Sequence, residues 1–159
     1  MQRYARSLLL AVLLSGTAAS ITLGQAAAPA TEPVSIVTAS SITWAELNVP
    51  GFAPGAKIAV INGNSNEAGP YTLRLSFPDG YRFPPHWHPM AENVTVLSGA
   101  LLVAMGDRAD ESKLTAYGPG DFLHIEATHP HFGGARGATE IQLHGQGPFA
   151  INLVGSSPK

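Results

Sequence analysis

Cysteine is absent from all 159 residues. That one absence excludes disulfide staples, thiol nucleophiles, thiolate zinc sites and iron–sulfur clusters. Charge is also sparse: charged residues make up 13% and the formal net charge is -2. A nucleic-acid binder would need a basic patch that this balance does not provide. Long helical periodicity and internal repeats are missing too. What remains is 45% hydrophobic, with Gly 17 and Pro 13 scattered along the chain. That composition fits a globular domain of short strands joined by turns.

The N-terminus reads as an address. Arg3 and Arg6 precede the apolar run 8–14, and small residues lead to Ala26, Ala27 and Ala28. A basic start, a short apolar core and a small-residue exit predict a secretory signal peptide over 1–26. The apolar core is shorter than the about 20 residues that span a bilayer, and no cysteine follows for lipid attachment. The expectation is a protein exported to a bacterial periplasm or secreted, without stable membrane anchoring; the alternative is an uncleaved anchor.

Residues 27–55 then read as a tether followed by a docking arm, whose apolar residues are Trp44, Leu47, Val49 and Phe52. Residues 56–155 carry the folded domain. Runs at 58–61, 71–77, 93–97, 100–105, 113–117, 122–125, 131–134, 139–144 and 149–154 are separated by turn residues every 8–12 positions. Tyr71, Leu73, Leu75 and Phe77 alternate strictly and predict one buried strand face. The expected fold class is all-β, a sandwich or small barrel.

The six histidines carry the chemistry. His86, Trp87 and His88 lie among Pro84, Pro85 and Pro89, which favour extended backbone at the residues before them. In an extended segment His86 and His88 face the same side, with Cα atoms about 6.5 Å apart. Two imidazoles so placed can reach one metal ion, and Glu92 can add a carboxylate oxygen. His131, after Pro130, can deliver a third imidazole from a neighbouring strand. Two surface histidines in a proline-rich loop are the plain alternative. His144 and Gln142 share one face of a strand. If that face points inward, His144 is a candidate catalytic base; otherwise the pair faces solvent. His124 should face away from Leu123 and Ile125, and His129 flanks His131. Arg74 and Arg82 are read as surface arginines.

The framing of these residues resembles the cupins. Gly80, His86, His88, Glu92 and Gly99 match the first cupin motif at its fixed positions. The run from Pro119, Gly120 and Asp121 to Pro130 and His131 resembles the second, with Glu126, Thr128 and Ala135 where proline, glycine and asparagine are usual. The stretch 71–147 is similar to small exported single-domain cupins. The resemblance implies a double-stranded β-helix, a cupin jelly-roll barrel. It also implies one divalent transition metal (Fe, Mn, Ni, Cu or Zn) held by His86, His88, Glu92 and His131. Glu92 could then shuttle a proton as a catalytic group.

The activity expected from this site is a metal-dependent oxidoreductase of the dioxygenase type acting on a small-molecule substrate. Its alternatives are a non-catalytic metal- or ligand-binding module and a Lewis-acid isomerase or lyase. The arm over 41–54 could swap onto a second copy, which motivates the expectation of a homodimer.

Overall fold

In the computed structural model the described residues are 34–155. The predicted leader 1–26 and the tether as far as residue 33 lie outside them. Those from Ile36 onward form one compact unit. Nine strands appear among the described residues. The first five are β1 (Ala45–Glu46), β2 (Lys57–Asn62), β3 (Gly69–Phe77), β4 (Arg82–Trp87) and β5 (Glu92–Met105). The rest are β6 (Thr115–Tyr117), β7 (Phe122–Ile125), β8 (His131–Gly147) and β9 (Asn152–Leu153). No α-helix occurs among them, only two short 3-10 turns. No helix there is long and apolar enough to cross a membrane.

Every strand pairing is antiparallel. One path runs β1-β2-β3-β8-β4-β9, and β5 pairs with β6, β7 and β8. β8 is the spine: it pairs with β5 along most of its length, with β3 near its C-terminal end and with β4 near its start. The sheet therefore curls on itself, and the fold is a jelly-roll barrel. The alternation read in β3 decides its inner face: Tyr71, Leu73, Leu75 and Phe77 are all buried. They meet Val94, Val96, Ile141 and Leu143 from β5 and β8 in one core.

Two pairs of expected short strands are single long ones. The runs 93–97 and 100–105 join as β5, and 131–134 and 139–144 join as β8. Ser98 and Gly99 read as a turn, but they form a bulge, with register shifts on both sides of Ser98. A bulge bends a strand without ending it, which is how one chain segment serves both halves of a curled sheet. Gly99 has φ +72, and a Cβ there would collide with the Ala138 carbonyl and Thr139. Glycine is thus required at this corner by both conformation and space.

Thr128 is the non-glycine residue with positive φ, at +62, among the described residues. It occupies the motif position where glycine is usual. Its amide donates to the His88 carbonyl at 2.8 Å, so the strained turn anchors the segment carrying His88. A β-branched residue is costly in this region, whereas glycine is not. Thr128→Gly is expected to stabilise the protein by about 0.5–1 kcal/mol after the added freedom of the unfolded glycine is deducted. Thermal unfolding would show this as a midpoint several degrees higher; an unchanged or lower midpoint would contradict it.

Candidate metal centre

The site is built where β4, β5 and β8 begin or end. His86 lies in β4, His88 one residue beyond it, Glu92 at the first position of β5 and His131 at the first position of β8. A register shift between Phe83 and His86, across Pro84 and Pro85, disturbs the strict alternation. Phe83 and His86, three apart, therefore both line the interior. His86 pairs directly with His131 across the β4–β8 ladder, and their ring centroids are 4.3 Å apart. His88 completes the cluster, with centroids 5.0 Å from His86 and 5.3 Å from His131. One ring nitrogen from each of the three lies within 4.8 Å of the others. All three are buried, at 5%, 5% and 3% exposure.

The backbone fixes which nitrogen faces inward. Nδ1 of His86 is 2.8 Å from the Pro84 carbonyl, that of His88 is 2.8 Å from the Ala150 carbonyl, and that of His131 is 3.1 Å from the His129 carbonyl. A carbonyl oxygen can only accept, so each Nδ1 carries a proton and donates it. Each Nε2 is left with its lone pair, the tautomer that binds a metal. His88 Nε2 is fully buried and has no hydrogen-bond partner among the described residues. Buried polar atoms are rarely left in that state, and a cation shared by the three lone pairs would satisfy it. The donor set thus fits a divalent transition metal.

Glu92 stands beside this triad. Its Oε2 lies 3.5 Å from His88 Nε2 and 3.6 Å from His131 Nε2. Burial penalises its charged form and pushes the carboxyl up to about 8. Burial has the opposite effect on the imidazoles, which lose their charged form. His86 is lowered to about 3 and His88 to about 4, with His131 lowered as well. The neighbouring imidazoles add to the lowering at His86 and His88, and the carbonyl hydrogen bonds partly oppose it. At neutral pH the metal-free site is therefore three neutral imidazoles beside a protonated carboxyl.

A cavity of about 50 Å³ reaches this cluster from the core. Its polar contributors are His86, Glu92 and His131; the rest of its lining is aliphatic or phenyl, including Leu75, Val94 and Ile141. Among the described residues no lysine or arginine lines it. Arg74 is held on the outer face by Glu140 at 3.0 Å and Gln142 at 3.3 Å, and Arg82 by Glu111 at 3.1 Å.

His144 does not join the site. Leu143 takes the inward position with no exposure, so period-2 alternation turns His144 outward. It is exposed, opposite Thr72 and Asn93, with its ring 6.4 Å from Phe122. The candidate role of His144 as a catalytic base inside the barrel is corrected accordingly. His124 also points outward, its Nδ1 2.8 Å from Asn93 Oδ1, and His129 contributes its carbonyl rather than its ring.

Two contributors escaped the sequence reading. Phe149 stacks on His88 at 5.0 Å and 20°, and Ala150 supplies the carbonyl that orients it. These lie about sixty residues from His88 in sequence, and no local pattern connects them. Phe52 was read as a docking residue, but its edge-on contact with His86, centroids 5.3 Å apart, had no sequence signal.

A jelly-roll barrel carrying three converging imidazoles and a carboxylate defines a class of small metal-site β-barrels. The sequence profile of the cupin domain family matches residues 73–144, a span that includes all four of these residues. Residues 73–144 thus form a cupin domain. Among solved structures it is similar to the polyketide cyclase RemF from Streptomyces resistomycificus. The identity is 16% and the TM-score 0.65, over 79% of this chain and 88% of that one. An acetylacetone dioxygenase candidate from Methylibium petroleiphilum is similar at 16% identity and TM-score 0.64, over 80% and 86% of the two chains. The DMSP lyase DddQ from Ruegeria pomeroyi is similar at 19% identity and TM-score 0.57, over 74% and 64%. These likenesses are of fold. Comparison with curated proteins gives no match.

Proposed function

We propose that this chain is an exported, metal-dependent cupin enzyme of the dioxygenase type acting on a small organic substrate. The observation that supports it most is the tautomer set: three Nδ1 atoms tied to backbone carbonyls leave three buried Nε2 lone pairs converging. His86, His88, His131 and Glu92 would hold the ion. A redox-capable ion would supply Lewis acidity and a path for electrons between substrate and dioxygen. The protein's own part follows from its residues. The carbonyl hydrogen bonds orient the rings, the aliphatic walls keep bulk water out, and the Glu92 carboxylate, ionised once the ion is bound, can accept a proton from the substrate. The small, uncharged lining favours a compact substrate without phosphate or multiple carboxylates. The likeness to an acetylacetone dioxygenase candidate agrees with that chemistry. Export rests on the predicted leader, and a homodimer remains part of the proposal.

A second reading is non-catalytic capture of a metal or very small ligand. The cavity size favours it, since catalytic pockets for drug-sized molecules hold roughly 300–1,000 Å³ and this one about 50 Å³. Elemental mass spectrometry of the untagged mature chain, followed by oxygen uptake with short diketones and phenols, separates the readings. About one equivalent of iron, copper, nickel or manganese with substrate-dependent oxygen consumption is expected. Stoichiometric zinc without oxygen uptake would move the assignment to binding or Lewis-acid chemistry. No metal after reconstitution would overturn the metalloenzyme reading.

A further inference from the structure

The arm places one ring against the metal site. His86 borders the interior cavity, and Phe52 borders a separate outer crevice of about 280 Å³ formed by the arm. The two rings meet edge to face, 68° apart, so Phe52 backs the imidazole whose other side borders the cavity. A second outer crevice of about 310 Å³ lies along the arm's flank, lined by Gly51, Ala53, Phe83, Pro84 and Pro85 among others. Phe83 also lines the interior cavity and makes its own edge contact with His86, at 5.5 Å. The arm thus covers the outside of the β4 segment whose inner side carries the imidazole.

The arm is fastened at several points around Phe52. The Tyr81 hydroxyl donates to the Ala53 carbonyl at 2.7 Å, and the Leu47 amide donates to the Ala56 carbonyl at 2.8 Å. The Phe52 amide closes a turn onto the Val49 carbonyl at 3.0 Å. Gly51 has φ +86, and a Cβ there would lie 2.6 Å from Leu153 Cδ1. Leu153 in turn pairs with His86 in the β4–β9 ladder. Phe52 is therefore presented to His86 by a turn that needs glycine and is seated on the strand next to the imidazole.

We infer that Phe52 is a positioning residue of the metal site: its ring packs edge-on against His86, covers the side of that imidazole turned to the arm and shields it from bulk water there. Removing the ring exposes the His86 imidazole to the outer crevice; a bulky aliphatic replacement keeps it covered. The inference rests on the metal-site reading for its purpose. The metal-free protein tests it, so a protein that binds no metal would overturn that reading and leave this one standing.

The test is the rate at which diethylpyrocarbonate modifies His86 in the metal-free protein, followed by peptide mass spectrometry. Phe52→Ala is expected to raise that rate about tenfold through local opening, and Phe52→Leu to stay within about twofold of wild type. Val96→Ala, a core truncation away from the arm, reports the rate that general destabilisation alone produces. Faster labelling of His86 in Phe52→Ala than in Val96→Ala supports the shielding role. An equal or slower rate overturns it.

Discussion

Zinc binding to the metal-free protein at pH 7 is expected to release close to one proton per ion, and Glu92→Gln is expected to abolish that release. The imidazoles cannot supply the proton, because burial lowers His86 to about 3 and His88 to about 4, and His131 shifts in the same direction. Glu92, pushed up to about 8, holds the proton that an incoming cation displaces. Apparent affinity should therefore rise with pH up to about 8 and level off above it. Glu92→Gln should lose that dependence together with about 100-fold or more in affinity, since an anionic donor is replaced by a neutral one. Titration calorimetry in buffers of different ionisation enthalpy reads the proton count directly. A count near zero at pH 7 in the wild type would mean that Glu92 is ionised before the metal arrives.

The second large effect is on stability, and its sign differs for the two kinds of group. The imidazoles resist protonation when folded but not when unfolded. Their contribution is whole above the ordinary histidine value of 6.5 and is lost as pH falls from there toward 3. Glu92 behaves in the opposite way. The folded state keeps its proton up to about 8, whereas the unfolded chain gives it up near 4.5. Stability is therefore lost as pH rises from 4.5 through 8.

The metal-free protein should be most stable at about pH 6.5–7, because below that range three imidazoles lose more than one carboxyl gains; it should lose several kcal/mol toward acid and about 1 kcal/mol toward pH 8. Bound metal should remove the alkaline loss, because the ion keeps Glu92 ionised in the folded state and adds its own binding free energy. Denaturant unfolding at pH 5.5 and 8.5, with and without zinc, measures both. Because the imidazoles lose stabilisation at the lower pH, the carboxyl is read from the difference between wild type and Glu92→Gln; a difference that is the same at the two pH values would contradict the buried protonated carboxyl. In Glu92→Gln the alkaline loss should be absent without any metal.

Some of this molecule follows from local pattern. Tyr71, Leu73, Leu75 and Phe77 mark a strand with one buried face because side chains alternate with period 2, and all four are buried. His86 and His88 face together for the same reason, with prolines holding the segment extended. The spacing to Glu92 and His131 matched a known motif, and folding places these residues at the starts of β5 and β8, beside the pair. The same period, applied to Ile141, Gln142, Leu143 and His144, separated a polar from an apolar face. It could not say which face the barrel would enclose. Leu143 went inward because the core on that side is aliphatic, so His144 went out.

Tertiary structure decided the rest. Ser98 and Gly99 look like a turn, and only the pairing of β5 with β8 on both sides makes them a bulge within one strand. The tautomers of the three histidines depend on carbonyls, and the one serving His88 comes from Ala150, 62 residues away. The raised carboxyl of Glu92 is a consequence of burial, which exists only once the barrel closes. The contact of Phe52 with His86 depends on where a turn of irregular backbone comes to rest. The sequence by itself determined which residues form the candidate site, because motif spacing and strand alternation are local. The protonation, orientation and enclosure of those residues were left to contacts between distant segments, since desolvation and long-range hydrogen bonds leave no periodic trace in the chain.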